Sequence, residues 1–105
     1  MYEEIRKAEL DELVAKLNAE TAKIAWSELQ TFFASGMTVY VSHKLDLIKV
    51  ACELAEDNRD QVEDWMGQGL VANVRDEQAS AWLESDILVW ATVIHPWVLV
   101  QPVVD

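Results

Sequence analysis

Cysteine, glycine, proline and positive charge are all scarce here: one Cys, three Gly, two Pro, and eight Lys plus Arg against 19 Asp plus Glu in 105 residues. Cys52 has no partner for an internal disulfide, and its neighbours in Val50-Ala51-Cys52-Glu53-Leu54 mark it as a small core residue suited to a reducing compartment. Three glycines leave little room for a phosphate-cradling loop, and no Gly-x-Gly-x-x-Gly, P-loop or Gly-x-Ser-x-Gly pattern occurs, which disfavours nucleotide enzymes. No apolar h-region follows the charged start Met1-Tyr-Glu-Glu-Ile-Arg-Lys. The longest apolar run, Ile87 to Ile94 with Thr92 inside it, is far too short to span a bilayer. A cytoplasmic protein with no membrane partner is the expectation. The formal charge is −11, and beyond Lys49 the only basic residues are Arg59 and Arg75. A nucleic-acid binder needs a cationic footprint, so no nucleic-acid partner is expected, whereas cations and basic protein surfaces remain compatible.

What is present is a globular composition, 51% hydrophobic and 26% charged, in a length that fits a single domain over residues 1–105. Leu10, Leu13, Val14, Leu17 and Ile24 recur at three-and-four spacing and predict a helix from Glu3 to about Lys23. Ser27 with Gln30 has capping-box spacing, with Trp26 as a staple, and predicts a second helix that turns Leu29, Phe32 and Phe33 inward and ends at Gly36. Met37 to Val41 alternates as a strand. Ser42 is positioned to cap the helix Leu45 to Asp57, which is apolar nearly all round and therefore reads as the most buried helix. Asn58 with Gln61 opens a helix burying Val62, Trp65 and Met66 and stopping near Gly67 and Gly69. Leu70 to Val74 reads as a strand, and Asp76 caps a helix to about Glu84 with Ala79, Trp82 and Leu83 inward. Ile87 to Ile94 reads as a central strand covered on both faces, and Trp97 to Gln101 as another. His95-Pro96 between them is poor chemistry for a two-residue hairpin, which leaves open an unusual turn with a cis proline or one long strand bent at Pro96.

The segments Leu17-Asn-Ala-Glu-Thr-Ala-Lys-Ile-Ala-Trp-Ser-Glu-Leu, Leu45-Asp-Leu-Ile-Lys-Val-Ala, Asp76-Glu-Gln-Ala and Pro96-Trp-Val-Leu-Val-Gln resemble a small bacterial family catalogued as domain-of-unknown-function family 2288. The likeness runs from about Leu17 to Gln101, and the Pro-Trp-Val-Leu-Val-Gln ending is its most specific part. It implies a cytosolic bacterial protein built as one stand-alone domain, and carries over no catalytic residue and no cofactor.

Among the residues with chemistry, Glu53, Glu56, Asp57, Asp60, Glu63 and Asp64 fall within twelve positions. The like-charge pairs 53/56, 53/57, 60/63 and 60/64 lie at i,i+3 or i,i+4 and together cost about 1–2 kcal/mol at low salt, which a cation or basic partner would relieve. Paired helical carboxylates can hold Mg²⁺ or Mn²⁺, but neither an EF-hand loop nor a Glu-x-x-His occurs, so a solvated acidic face is the plainer reading and no metal ligand is assigned. His43 and His95 neighbour no nucleophile or zinc pattern, and Cys52 with His43 lacks a third member. Five tryptophans fit a core, with Trp90 and Trp97 free to line a pocket or an interface. The apolar ending Trp97-Val-Leu-Val-Gln-Pro-Val-Val would invite strand pairing if it lay at a sheet edge, which makes Trp90, His95, Trp97, Val98 and Val100 a candidate surface for a homodimer.

The order α-α-β-α-α-β-α-β-β predicts an α/β (α+β) fold, a small mixed sheet of three to four strands packed with about five helices. The favoured function is a non-enzymatic interaction or regulatory module presenting its acidic face to a basic protein. The alternatives are a small enzyme or divalent-metal or ligand-binding domain using Glu53, Asp57, Asp60 and His95, and an acidic mimic of DNA.

Overall fold

Five short segments with alternating side chains build one mixed sheet. The computed structural model describes residues 2–104, with side chains from residue 7 onward; Met1 and Asp105, the chain ends quoted above, lie outside them. In chain order the elements are α1 (Tyr2–Glu20), β1 (Ala22–Ala25), a 3₁₀ turn (Trp26–Leu29), α2 (Gln30–Ala34), β2 (Thr38–Val41), α3 (Leu47–Ala55), α4 (Arg59–Gly67), β3 (Val71–Asn73), α5 (Asp76–Glu84), β4 (Leu88–Ile94) and β5 (Trp97–Pro102). The strand order is β1-β4-β5-β2-β3, and every neighbouring pair is antiparallel except β2 with β5. The fold is therefore α+β, with five strands rather than three or four.

Strand alternation divides the core in two. Val41, Val71 and Leu99 pack with Leu17 of α1, with Leu47, Val50 and Ala51 of α3, and with Trp65 of α4. Val89, Val98 and Val100 point the other way, to Trp26 and Leu29 of the 3₁₀ turn and Ala79 of α5. Helices thus cover both faces, giving three layers.

The extra strand is β1, taken from the end of the first expected helix. Thr21 stops α1: its N–H and its hydroxyl both donate to the Leu17 carbonyl, at 3.0 and 2.6 Å. Ala22-Lys23-Ile24-Ala25 has little strand propensity of its own. Pairing with β4, Ala22 opposite Ala91 and Ile24 opposite Val89, overrides the local preference. The Trp26 N–H extends that ladder to the Ile87 carbonyl at 3.0 Å. Its indole is fully buried, and the helical turn opens at Trp26 itself rather than after an N-cap at Ser27. Ala25 takes the N-cap place without a side-chain bond, and the Gln30 amide donates back to the Trp26 carbonyl.

Two further caps are shifted. Asp46, adjacent to the first residue of α3, accepts from the Ile48 N–H at 2.9 Å. Ser42 lies too far upstream and instead accepts from the Lys44 N–H. The Gln101 amide donates to the carbonyls of Ser42 and Leu45, both at 2.9 Å, which ties this loop to β5. Arg75, not Asp76, is the N-cap of α5, and the Gln78 side-chain oxygen Oε1 accepts from its N–H. Asn58 caps α4 as its spacing predicts, accepting from the Gln61 N–H at 3.4 Å. Helices α2 to α5 are each followed by a residue in the left-handed conformation: Gly36, Asp57, Gly69 and Asp86. In each, the N–H of that residue and the N–H of the one after it fold back on the last turn, as in Gly36 to Phe33 and Met37 to Phe32.

Burial corrects other expectations. Helix α3 contributes Leu47, Val50 and Ala51 to the core, but Ile48, Cys52 and Leu54 are only half-buried, so it is amphipathic rather than enclosed. Phe32, Met66 and Leu83 are about half exposed because no layer covers the outer flanks of their helices. Strand β4 is not covered on both faces, since Leu88, Trp90 and Val93 are exposed. The doubly covered strand is β5, with Val98, Leu99 and Val100 buried in succession. β4 and β5 form a hairpin, paired down to Ile94 opposite Trp97, around a cis His95-Pro96 bond. β5 lies mid-sheet with both edges hydrogen-bonded, so it is not an edge open to a second chain, and Val98 and Val100 are core residues rather than interface residues.

Thr92 is 1% exposed, and its hydroxyl has no partner among the described residues. A buried unpaired hydroxyl costs about 1–3 kcal/mol, and Val has nearly its shape. Thr92→Val is expected to raise the unfolding free energy by about 1 kcal/mol in urea melts; a lower midpoint would show that the hydroxyl is satisfied.

Candidate interaction surface

The acidic residues lie on the helical hairpin formed by α3 and α4. Asp57 in its left-handed conformation reverses the chain, and Asn58 locks the two helices together. Its N–H donates to the Glu53 carbonyl, its side-chain N–H₂ to the Glu53 carboxylate, and its side-chain oxygen Oδ1 caps α4. Glu53 is half-buried, and Glu56, Asp57, Asp60, Glu63 and Asp64 are exposed. Asp57 meets Arg59 at 3.6 Å with both side chains 80% exposed, a pair too solvated to neutralise the patch. Asp64 accepts from the Gln68 amide at 3.0 Å.

A small cleft of about 120 Å³ opens between the helices, walled by Glu53, Leu54, Asp57, Arg59, Val62 and Glu63. Leu54 and Val62 also line a larger groove of about 330 Å³ on the sheet side, with Val39, Met66, Val71 and Trp97. That second groove is apolar, and it is the feature that sequence reasoning missed. Its walls come from β2, α3, α4, β3 and β5, so no local pattern marks it; the structure reveals it by leaving Met66, expected to be buried, and Trp97 exposed.

The remaining candidates do not converge. Trp90 lies on the same sheet face as Trp97 but opposite Gln101, four residues along β4 from the Ile94–Trp97 pair. It lines a different cavity, with Asn18, Thr21, Asp46 and Gln101, and the Lys23 ammonium sits over its ring at 5.1 Å. His95 is exposed at the hairpin turn and walls neither the cleft nor the groove, and His43 is exposed in the β2–α3 loop. Among the described residues, no three His, Cys, Asp or Glu side chains are grouped to hold a metal ion. No described helix is long and apolar enough to cross a membrane.

Cys52 is half-buried on α3. Burial pushes its thiol up from the ordinary range, and the carboxylates of Glu53, Glu56 and Asp46 push in the same direction. That is the reverse of an activated nucleophile. Iodoacetamide is expected to alkylate Cys52 more slowly than N-acetylcysteine at pH 7.5. Its rate should still be rising at pH values where the free thiol has levelled off. A faster reaction would contradict this environment.

The model of the family described as "Protein of unknown function (DUF2288)" matches residues 12–102. The chain belongs to this family. Among solved structures, the solution NMR structure of PA1075 from Pseudomonas aeruginosa is 44% identical, with a TM-score of 0.79, and the match covers 90% of this chain and 87% of that one. Among curated proteins, none matches the chain. Within the DUF2288 match lie the whole α3–α4 hairpin and all six walls of the groove named above.

Proposed function

We propose that this DUF2288 protein is a non-enzymatic interaction or regulatory module of the cytoplasm, which presents its α3–α4 face to a basic surface on another protein. The observation that carries this reading is the placement of the carboxylates beside an apolar groove, on one rigid pair of helices. Glu53, Glu56 and Asp57 occupy the last turn and cap of α3, which has no basic residue there. A helix C-terminus carries partial negative charge, so carboxylates at that position oppose the dipole by a few tenths of a kcal/mol each. Glu53 is held by Asn58 and Asp57 meets Arg59, yet all three carboxylates stand against the dipole, and a cationic partner would offset that repulsion.

The test is native mass spectrometry of complexes purified from the protein's own host cells. A partner is expected with wild type, lost in Asp60→Lys/Glu63→Lys and kept in Glu9→Lys/Glu12→Lys, which changes the net charge equally on exposed positions of α1. Equal loss in both variants would mean that bulk charge, and not this face, does the binding; no partner in any sample would remove the reading.

A further inference from the structure

The groove beside the acidic face has no occupant within the described chain. Its larger apolar walls are Val39, Leu54, Val62, Met66, Val71 and Trp97, with Asn73 as the polar member of the lining, and Met66 is 51% and Trp97 37% exposed. We propose that this groove seats one or two bulky apolar side chains of a lysine- or arginine-rich segment of a partner protein, whose cations pair with the α3–α4 carboxylates. The proposal rests on the interaction reading above and names the chemistry of the partner.

Three observations support it. The groove holds about 330 Å³, the space of about ten liquid waters, which filling by apolar groups would release to bulk. Met and Trp at its mouth suit such a contact: the thioether adapts to the shape offered, and a half-exposed indole supplies a large rigid face. Leu54 and Val62 wall both the groove and the cleft that carries Glu53, Asp57 and Glu63, so one ligand can engage apolar and acidic surface together. A small molecule fits less well, because such sites converge several polar groups in an apolar pocket, whereas this lining offers one polar side chain, Asn73, and the charges stand outside it on the rim. A segment with apolar anchors flanked by cations matches that separation.

Two 14-residue peptides of equal lysine content serve as probes, one with Leu and the other with Ser at helical i, i+3, i+4 spacing, titrated calorimetrically into the full chain at 150 mM NaCl. The Leu peptide is expected to bind at least tenfold more tightly. Met66→Glu distinguishes the two contributions. It adds negative charge, so attraction by charge alone would tighten binding, but it obstructs the groove and is expected to weaken the Leu peptide at least tenfold without weakening the Ser peptide. The Trp97 indole N–H resonance, observed in wild type, is expected to shift with the Leu peptide only, a readout independent of any variant. If both peptides bind alike, Met66→Glu does not weaken them and Asp60→Lys/Glu63→Lys does, the groove proposal is overturned while the acidic-face reading stands. If neither peptide binds, both are overturned. If sedimentation shows a wild-type dimer that Met66→Glu splits, a second copy fills the groove and the proposed partner is wrong.

Discussion

Val100→Lys is expected to abolish folding at 25 °C, while Val93→Lys on the neighbouring strand leaves the protein folded. Val100 is fully buried in the central strand, opposite Ala91 of β4 and Tyr40 of β2, on the face that carries Trp26. An ammonium there has no described carboxylate to meet in its cluster, and burying it costs several kcal/mol on top of the lost valine packing. Domains of this size are stable by about 5–15 kcal/mol in total, so one such charge removes most or all of the margin. Val93 is 54% exposed, and the same substitution there should change stability by about 0.5 kcal/mol or less. Near-UV circular dichroism and a urea melt read both variants. A cooperative transition for Val100→Lys close to that of wild type would mean that β5 is not the centre of the sheet.

The second large effect belongs to Trp26. Its indole is fully buried, donates its N–H to the Ala79 carbonyl at 3.1 Å, and meets Trp82 and Phe33 edge-on with ring centroids 5.0 and 5.7 Å away. This one side chain joins the 3₁₀ turn, α2 and α5 beneath the sheet. Trp26→Ala is expected to cost about 3–5 kcal/mol through the cavity it leaves. Trp26→Phe retains aromatic packing but gives up the hydrogen bond, and should cost about 1–2 kcal/mol. Urea midpoints followed by far-UV circular dichroism give both values. A cost below 1 kcal/mol for the alanine variant would show that α5 docks without this anchor.

Trp26 also shows where local reading fails. Next to Ser27 and Gln30 it has the spacing of a staple and capping box, and nothing nearby reveals that Ile87, sixty residues on, takes its N–H into a sheet. The same long-range pairing turns Ala22–Ala25 into β1, a segment whose composition favours continuing the helix. Elements with strong internal signals were legible: Asn58 caps α4, Gly36 and Gly69 accept the positive φ that ends their helices, and Met37 to Val41 alternates as a strand. The helix ends near Asp57 and Glu84 were legible too, but nothing in the sequence marked Asp57 and Asp86 as left-handed, since neither has glycine's freedom.

The acidic face was legible because its six carboxylates fall within twelve positions of the chain, and closeness in sequence survives folding. The groove was not, because five separate elements supply its walls, and only their packing leaves Met66 and Trp97 uncovered. Composition, periodicity and capping residues by themselves determined the α+β class, the helices and most strands, and the sign and position of the charged surface, since these depend on neighbours within a few residues. Tertiary structure alone decided the fifth strand, the burial of Val98 and Val100 in the middle of the sheet, and the joining of an apolar groove to the acidic hairpin. Each of these depends on which distant segments share hydrogen bonds and exclude water from one another, and no local pattern encodes that.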